Sequence, residues 1–178
     1  MAGLTRYLTR HLRLTVNTAK SAVARPCDRK FLGFSFTNGR APKRRIAPQA
    51  LLRFKAKITE LTRSAKGANL AQGAQALSRY LTGWRGYFGF CETPSVLRSL
   101  DKWIRRRLRA IVWRQWKRGR TRFAELRRRG IGRDLTAQTA GSAHGPWRLS
   151  KSPALNIAVS NAYLSSLGLV SLAPRPPA

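Results

Sequence analysis

The stretch LDKWIRRRLRAIVWRQWKR at residues 100–118 decides the fold class, because its apolar residues recur every three or four positions and so share one face of a helix. That face, extended one turn toward the N-terminus, consists of Leu97, Leu100, Ile104, Leu108 and Ile111. Thr93 and Pro94 are typical of a helix start, with a capping residue followed by a first-turn proline. We expect this helix to continue to Arg118, before Gly119.

Two similar helices precede it in the sequence. Pro48 suits the first turn of a helix. The apolar face of that helix consists of Leu51, Phe54, Ile58 and Leu61. A second apolar seam consists of Leu70, Ala74, Leu77, Leu81, Trp84 and Phe88. Three amphipathic helices with short connections predict a bundle, which we assign to residues 47–119.

Residues 1–46 have a different pattern, with short elements and a strongly basic turn. The expected elements are a helix at 2–12 and strands at 14–16, 30–36 and 44–46. In the second strand, alternation places Leu32, Phe34 and Phe36 on one side. Asn38 and Gly39 then predict a tight hairpin turn, because both residue types tolerate positive φ.

The segment 120–172 is predicted to be a helical extension with weaker periodicity. Its expected elements are a short helix around Phe123 and Leu126 that ends at Gly130, a loop over 130–146, and a helix that starts at Ser152–Pro153 and ends at Gly168. The proline-rich tail 173–178 is expected to be disordered. The predicted fold class is therefore mainly α, with a small N-terminal β-hairpin, a three-helix bundle and a C-terminal helical extension.

The charge of the chain indicates its partner. Lys and Arg number 36 against six Asp and Glu, which gives a net charge of +30, and 43% of the residues are hydrophobic, enough to form a core. Most of the cations are arginine, which binds phosphate through two hydrogen bonds and stacks on bases. We therefore expect an RNA partner. Cys27 and Cys91 have no metal-ligand spacing, and no apolar run is long enough to span a bilayer, so we expect no membrane association and a cytoplasmic protein.

Two groups of cations are placed to bind phosphate. On the helix of residues 100–118 and its first turns, the flanks of the apolar face carry Arg98, Lys102, Arg105, Arg106, Arg109, Arg114 and Lys117. Around the predicted hairpin turn, the candidates are Arg40, Lys43, Arg44 and Arg45. Trp103, Trp113 and Trp116 are capable of base stacking, but aromatic residues on an amphipathic helix more often belong to the core.

Catalytic residues are not evident. No two of the six acids are adjacent or separated by one residue, whereas two-metal nucleotidyl transfer needs several carboxylates on neighbouring elements. His11 and His144 have no partners at a recognisable spacing. We expect neither a catalytic site nor a metal site in this chain.

A family resemblance covers nearly the whole sequence. The runs LRLTVNTAKS (residues 12–21) and KFLGFSF (30–36) resemble the last palm motifs of group II intron reverse transcriptases. LTGWRGYFGF (81–90) and the 100–118 stretch resemble their maturase-specific, or thumb, region. GPWRLSKSPALNIAVSNAYLSSLGLVSL (145–172) resembles the C-terminal end of bacterial members.

The resemblance implies roles for particular residues. It places a primer-grip-like segment at Phe31, Leu32, Gly33 and Phe34, and thumb contacts to RNA at Arg79, Arg85, Arg105, Arg106, Arg107 and Arg109. It also implies that the fingers and the catalytic Tyr-Ala-Asp-Asp box would precede the residues matched here. The sequence is thus expected to correspond to the C-terminal part of such an enzyme, and Mg²⁺ would bind only together with the missing palm.

The expected function is maturase-type binding of group II intron RNA or of a template–primer duplex, without polymerase activity in this chain alone. Three alternatives remain open. They are a component of a reverse transcriptase completed in trans by a separate palm polypeptide, a general basic RNA-binding protein, and the product of a degenerate gene fragment.

Overall fold

The computed structural model describes residues 2–17, 19, 21–64 and 69–173, and it is mainly helical with one small antiparallel hairpin. The helices are α1 (Ala2–His11), α2 (Pro48–Ser64), α3 (Leu70–Phe88), α4 (Pro94–Gln115), α5 (Gly119–Arg128), α6 (Arg133–Ala140), α7 (Pro146–Leu149), α8 (Pro153–Ala158) and α9 (Asn161–Ser166). The strands are β1 (Phe34–Phe36) and β2 (Arg44–Ile46), and a single 3₁₀ turn spans Pro26–Asp28. The predicted fold class is confirmed.

Helices α2, α3 and α4 form the bundle, and their predicted apolar faces are buried or half-buried. Phe54 and Ile58 of α2 are fully buried. The ring of Trp84 lies 4.4 Å from that of Phe54 and 4.6 Å from that of Phe88, measured between ring centres. Trp84 is therefore a core residue, as its place on the apolar seam predicts.

Helix α4 ends at Gln115, three residues before the predicted end at Arg118. Trp116 leaves the helical conformation with φ −80° and ψ 71°, and its ring is buried 6.1 Å from that of Trp113. The apolar ring of Trp116 gains more from packing inward than the helix gains from another turn. Both tryptophans belong to the core, in agreement with the more common role of such residues.

The β-hairpin is present, but its tight turn is not where the sequence places it. Phe34 pairs with Ile46 and Phe36 with Arg44, so a wide loop over residues 37–43 replaces the predicted turn at Asn38–Gly39. Burial along β1 also differs from the prediction, since Ser35 is buried and Phe36 is exposed. Phe34, on the opposite face of β1 from Ser35, packs against the ring of Phe88, so both faces of the strand are partly covered.

A tight turn occurs instead at Leu32–Gly33, inside the predicted strand 30–36. Both residues have positive φ, 49° and 79°, as a type I′ turn requires. Backbone hydrogen bonds of 2.9 Å in each direction join Phe31 and Phe34 across the turn. The Tyr87 hydroxyl donates to the Leu32 carbonyl at 2.8 Å, which stabilises this conformation at a non-glycine residue.

The C-terminal extension is more helical than predicted. The expected loop over 130–146 contains α6, whose buried residues are Thr136, Thr139 and Ala140. The threonine hydroxyls donate to main-chain carbonyls, Thr136 to Ile131 at 3.3 Å and Thr139 to Leu135 at 2.7 Å. Small residues that satisfy their own hydroxyls can pack closely, yet they give little hydrophobic periodicity.

The predicted single helix from Ser152 to Gly168 is two short helices, α8 and α9. The chain breaks at Val159, which is fully buried in a non-helical conformation (φ −122°, ψ 66°). Ser160 then caps α9, because its Oγ accepts a hydrogen bond from the Tyr163 amide at 3.1 Å. Helix α8 packs against α5 and α6, and Asn161 at the start of α9 accepts a hydrogen bond from Arg109 of α4.

Asp101 of α4 anchors the end of the described chain. Its buried carboxylate accepts hydrogen bonds from the Ser171 hydroxyl at 2.6 Å, the Leu172 amide at 2.9 Å and the Ala173 amide at 3.0 Å. Residues 174–178 of the predicted disordered tail lie outside the described residues. These hydrogen bonds therefore hold the C-terminal extension against the bundle.

The N-terminal residues are less buried than those of the bundle. Helix α1 is present but has no buried residue, and the predicted strand at 14–16 is irregular backbone. An isolated strand without a neighbouring sheet gains no ladder hydrogen bonds, which explains why the predicted strand does not form. In the described ranges, no helix is both long and apolar enough to cross a membrane.

Candidate nucleic-acid interface

The cations of α4 differ sharply in exposure, although the sequence places them all on flanks. Arg109 is buried, and its guanidinium donates to the Val159 carbonyl at 2.9 Å and to Asn161 Oδ1 at 3.0 Å. Burial, followed by the charge of Arg105, lowers the pKa of Arg109. Arg109 therefore lies inside the protein, contrary to the expected solvent-facing position, and it ties α4 to the C-terminal extension.

Arg106 and Arg107 are half-buried and also contact neighbouring elements. Arg106 donates to the Trp147 carbonyl at 2.9 Å and to Ser150 Oγ at 3.3 Å. Arg107 donates to Thr62 Oγ1 of α2 through two nitrogens, at 3.2 and 2.9 Å. A guanidinium has five N–H donors, so each arginine keeps donors for a further acceptor while it fixes the packing.

One basic pocket lies between α2 and α4, and we call it the α2–α4 pocket. Its volume is about 330 Å³. Its lining consists of Thr59, Thr62, Arg63, Arg107, Ala110, Ile111, Arg114 and Trp147, so none of the described residues that line it is acidic. Burial first, and then the charges of Arg114 and Arg63, lower the pKa of Arg107. A bound anion would relieve this repulsion.

A second basic pocket lies on the other side of α4 against the C-terminal extension, and we call it the α4–α8 pocket. Its volume is about 400 Å³. The lining residues are Lys102, Arg105, Arg106, Arg109, Ser150, Lys151, Asn156 and Asn161. Within the described structure, the buried Nε of Arg105 has no hydrogen-bond acceptor. An oxyanion in this pocket meets amide, hydroxyl and cationic side chains, with no carboxylate among the lining residues.

The four hairpin cations are exposed, but two of them also donate side-chain hydrogen bonds within the protein. Arg40 and Lys43 extend from the 37–43 loop. Arg44 Nε donates to the Phe90 carbonyl at 3.0 Å, and Arg45 Nε donates to Ser35 Oγ at 3.1 Å. The hairpin thus presents two cations from its loop and uses two others partly to hold its own position.

The other predicted contacts lie elsewhere on the surface. Exposed cations among them are Arg79, Arg98, Lys102, Arg114 and Lys117. Arg85 is exposed too, and it donates to the Ser171 carbonyl at 3.2 Å. Lys102 and Arg114 border the two pockets on opposite sides of α4.

The primer-grip-like segment forms an apolar edge. Phe31 and Leu32 are 75% and 66% exposed, while Phe34 packs against Phe88 with ring centres 5.2 Å apart. At Gly33 a Cβ would lie 3.1 Å from the Phe88 ring, so the backbone approaches α3 closely here. A shallow apolar pocket of about 350 Å³ borders the turn, lined by Phe31, Leu32, Phe34, Phe36, Arg44, Gly86, Tyr87 and Phe90.

Several of the acids take part in the packing. Besides Asp101, Glu92 accepts a hydrogen bond from the Arg44 amide at 2.6 Å. Glu125 pairs with Arg128 at 2.9 Å and with Arg129. Among the described residues, no three His, Cys, Asp or Glu side chains come together as a metal-binding group. Cys27 and Cys91 are free thiols.

Sequence reasoning does not find several residues that the fold brings to the pockets, among them two on α2 and two in the C-terminal extension. Arg63 and Thr59 lie one turn apart on α2, and this i, i+4 spacing marks a shared face. Lys151 and Trp147 come from the C-terminal extension. Only the tertiary packing of that extension on α4 brings these two near the bundle.

Residues 51–130 match the family described as "Group II intron, maturase-specific domain". The matched range contains α3, α4 and α5 and nearly all of α2. It confirms the resemblance inferred from the stretches 81–90 and 100–118, and it indicates a function related to group II intron maturases. No curated protein matches the chain.

Proposed function

From the maturase-specific match, we propose that this chain is an RNA-binding maturase-type module that binds group II intron RNA or a template–primer duplex and does not polymerise by itself. The observation that carries the proposal is the pair of basic pockets on opposite sides of α4, lined by cations and hydrogen-bond donors. Such pockets suit phosphate oxygens, which accept hydrogen bonds and carry negative charge.

The net charge of +30 supports the same partner. A chain with this charge repels itself, and a polyanion reduces the repulsion while it releases its own counterions. The hydrogen-bonded positions of Asp101, Glu92 and Glu125 support the second part of the proposal. These carboxylates act as packing partners, so binding a pair of catalytic Mg²⁺ ions would require them to leave their present contacts.

Competition binding tests the partner. A labelled group II intron RNA is titrated with the chain, and unrelated structured RNA of equal length competes. We expect a clear preference for the intron RNA, since a maturase-type surface recognises its shape as well as its charge. Equal competition by both RNAs contradicts the maturase part and favours a general basic RNA-binding protein.

The salt dependence of binding tests the pockets. We expect the double variants Arg63→Ala/Arg114→Ala and Lys102→Ala/Lys151→Ala each to weaken RNA binding. Each should also flatten the plot of log K against log salt by about 0.7–0.9 for every phosphate that the variant no longer neutralises. Arg133→Ala is the matched control, because Arg133 is exposed on α6 and borders neither pocket. Slopes equal to that of the wild type would mean that RNA binds elsewhere.

Primer extension tests the absence of polymerase activity. The purified chain is incubated with primer–template, Mg²⁺ and nucleotides. We expect no product above a control without protein, because no group of carboxylates suited to holding Mg²⁺ occurs in the part of the chain that the structure describes. Extension above that control overturns this part of the proposal.

A second candidate function is a component of a reverse transcriptase completed in trans by a separate palm polypeptide. The exposed apolar edge formed by Phe31, Leu32 and Phe90 favours it, since such patches mark protein interfaces. Adding a group II palm polypeptide should then restore primer extension, and the double variant Phe31→Ser/Leu32→Ser should reduce it. If the added palm restores no extension, this candidate is rejected.

A further inference from the structure

Helix α7 forms a ridge between the two basic pockets. Trp147 of α7 lines the α2–α4 pocket, and Arg106 of α4 lines the α4–α8 pocket. The guanidinium carbon of Arg106 lies 3.8 Å from the centre of the Trp147 ring. We call this stacked pair the Trp147–Arg106 ridge.

The ridge is fixed before any ligand binds. Arg106 donates to the Trp147 carbonyl at 2.9 Å and to Ser150 Oγ at 3.3 Å, and the Ser150 hydroxyl donates to the same carbonyl at 2.6 Å. Ser150 is only 1% exposed. These bonds hold the backbone of α7 against α4, so a ligand that binds the ring need not order it first.

The ring of Trp147 is nevertheless accessible. Its residue is 41% exposed although Arg106 covers part of the ring, and it is the only one of the five tryptophans among the exposed large apolar residues of the described structure. Trp84, Trp113 and Trp116 are buried in the core. A cation–π contact uses one face of an aromatic ring. The contact with Arg106 therefore leaves the rest of Trp147 free for another ligand.

We propose that the Trp147–Arg106 ridge binds an unpaired nucleotide of structured RNA, with its base stacked on Trp147 and its flanking phosphates in the two basic pockets. The proposal rests on the RNA-binding function proposed above. A base within a duplex has both faces covered by its neighbours, whereas an unpaired base offers a free face for stacking. An aromatic ring with cations on either side therefore fits an unpaired nucleotide better than a continuous helix.

The same arrangement argues against a protein or a membrane as the ligand. Around the ridge, the described lining of the two pockets holds eight Lys or Arg side chains, which are Arg63, Lys102, Arg105, Arg106, Arg107, Arg109, Arg114 and Lys151. A protein interface core is depleted of charge, and insertion into a membrane calls for several exposed apolar side chains on one face. Among the described lining residues, Trp147 is the only aromatic one, and it lies between two basic pockets.

The test compares two fluorescein-labelled RNA hairpins, one with a fully paired stem and one with a bulge of unpaired adenosines in the same stem. Affinities are measured by anisotropy for the wild type, Trp147→Leu, Trp147→Phe and the control Ile157→Ala. Ile157 is 59% exposed on α8 and borders neither pocket. Leucine keeps apolar bulk without a ring, and phenylalanine keeps a ring for stacking.

We expect Trp147→Leu to weaken binding of the bulged hairpin about tenfold, which corresponds to the free energy of one base–aromatic stack. The affinity for the paired hairpin should not change. Trp147→Phe should retain most of the preference for the bulge, and Ile157→Ala should behave as wild type. The bulged hairpin should also quench wild-type tryptophan fluorescence more than that of Trp147→Phe. This measurement does not depend on the folding of the leucine variant.

Three outcomes overturn the inference. The first is a wild-type protein that does not prefer the bulged hairpin, the second is a Trp147→Leu variant that binds both hairpins as tightly as the wild type, and the third is a variant that loses affinity for both equally. The third result would mean that Trp147 only positions Arg106. In each of these cases RNA binding itself persists, so the proposed function stands; it fails separately when the wild type binds neither hairpin.

Discussion

Helix α4 and the β1–β2 hairpin both carry clusters of cations, but they use them differently. In α4, Arg106, Arg107 and Arg109 donate hydrogen bonds to other parts of the fold. In the hairpin, Arg40 and Lys43 extend from an exposed loop. A dense run of arginine in a sequence can therefore stabilise a fold as well as bind a partner.

The cause lies in what surrounds each element. Helix α4 is covered by α2 on one side and by the C-terminal extension on another, and Ala110, Val112 and Trp113 beside its predicted apolar face are buried too. Long arginine side chains there reach across to carbonyls and hydroxyls of the covering elements. The hairpin loop has no such cover, so its cations stay in water.

The largest expected effect comes from removing the buried cation of α4. Arg109→Ala should lower the free energy of unfolding by about 2–3 kcal/mol, because two hydrogen bonds to a charged group are removed and the Val159 carbonyl is left without its donor. Urea denaturation measures the change. RNA affinity of the folded variant should fall less than that of Lys102→Ala/Lys151→Ala, because Arg109 borders the α4–α8 pocket but uses donors on Val159 and Asn161.

Arg98→Ala is the matched control, since Arg98 is exposed on the same helix. Its effect on stability should stay within about 0.5 kcal/mol. If Arg109→Ala instead leaves stability unchanged and weakens RNA binding strongly, Arg109 is a binding residue after all, and the contrast between α4 and the hairpin disappears.

Removing the two loop cations of the hairpin should have the opposite effect, because it should change RNA binding and not stability. The expected change is smaller than that of Arg109→Ala. The double variant Arg40→Ala/Lys43→Ala should keep the stability of the wild type within about 0.5 kcal/mol. If the loop binds phosphate, RNA affinity should fall several-fold, and the salt slope should flatten by about 0.7–0.9 for each phosphate that is no longer neutralised. Anisotropy titrations over a range of salt measure both. Unfolding at lower urea would show that these side chains support the fold, and an unchanged slope would exclude the loop from the interface.

Much of the helical bundle could be predicted from sequence, and the reasons for success and failure are physical. Helices α2, α3 and α4 carry large apolar residues at regular spacing, which is the signal that sequence reasoning uses. Helix α6 packs through threonine and alanine, which give no such signal. The turn at Leu32–Gly33 escapes prediction because its conformation depends on the hydroxyl of Tyr87, 55 residues along the chain.

The candidate site could be predicted only in part, because burial of α4 on a second face does not show in its own periodicity. The exposed cations Lys102 and Arg114 are predictable from the helix flanks, and they border the pockets. The inward position of Arg109 depends on the break at Val159, which turns a carbonyl toward it. Trp147 escapes prediction because its segment of sequence gives no position relative to α4.

A third use of cations, pairing with an acid, occurs at Glu125 of α5 and gives the smallest effect. Burial raises the pKa of Glu125, but hydrogen bonds from Arg129 and Arg128 and their charges lower it by more, so the net pKa lies below its ordinary value. The folded protein therefore favours the ionised carboxylate. The resulting stability is present above the unfolded pKa of about 4.3 and is lost as the pH falls through the lower, folded value.

Glu125→Gln should thus lower the free energy of unfolding by less than about 1 kcal/mol at neutral pH, since a partly exposed ion pair stabilises little. The difference from wild type should shrink as the pH falls below about 4. Urea denaturation at both pH values measures it, with Glu60→Gln as a control because Glu60 pairs with Lys57 on the exposed surface. A difference that grows in acid would contradict the assigned direction. A loss as large as that of Arg109→Ala would mean that acid pairing stabilises this fold as strongly as the buried arginine does.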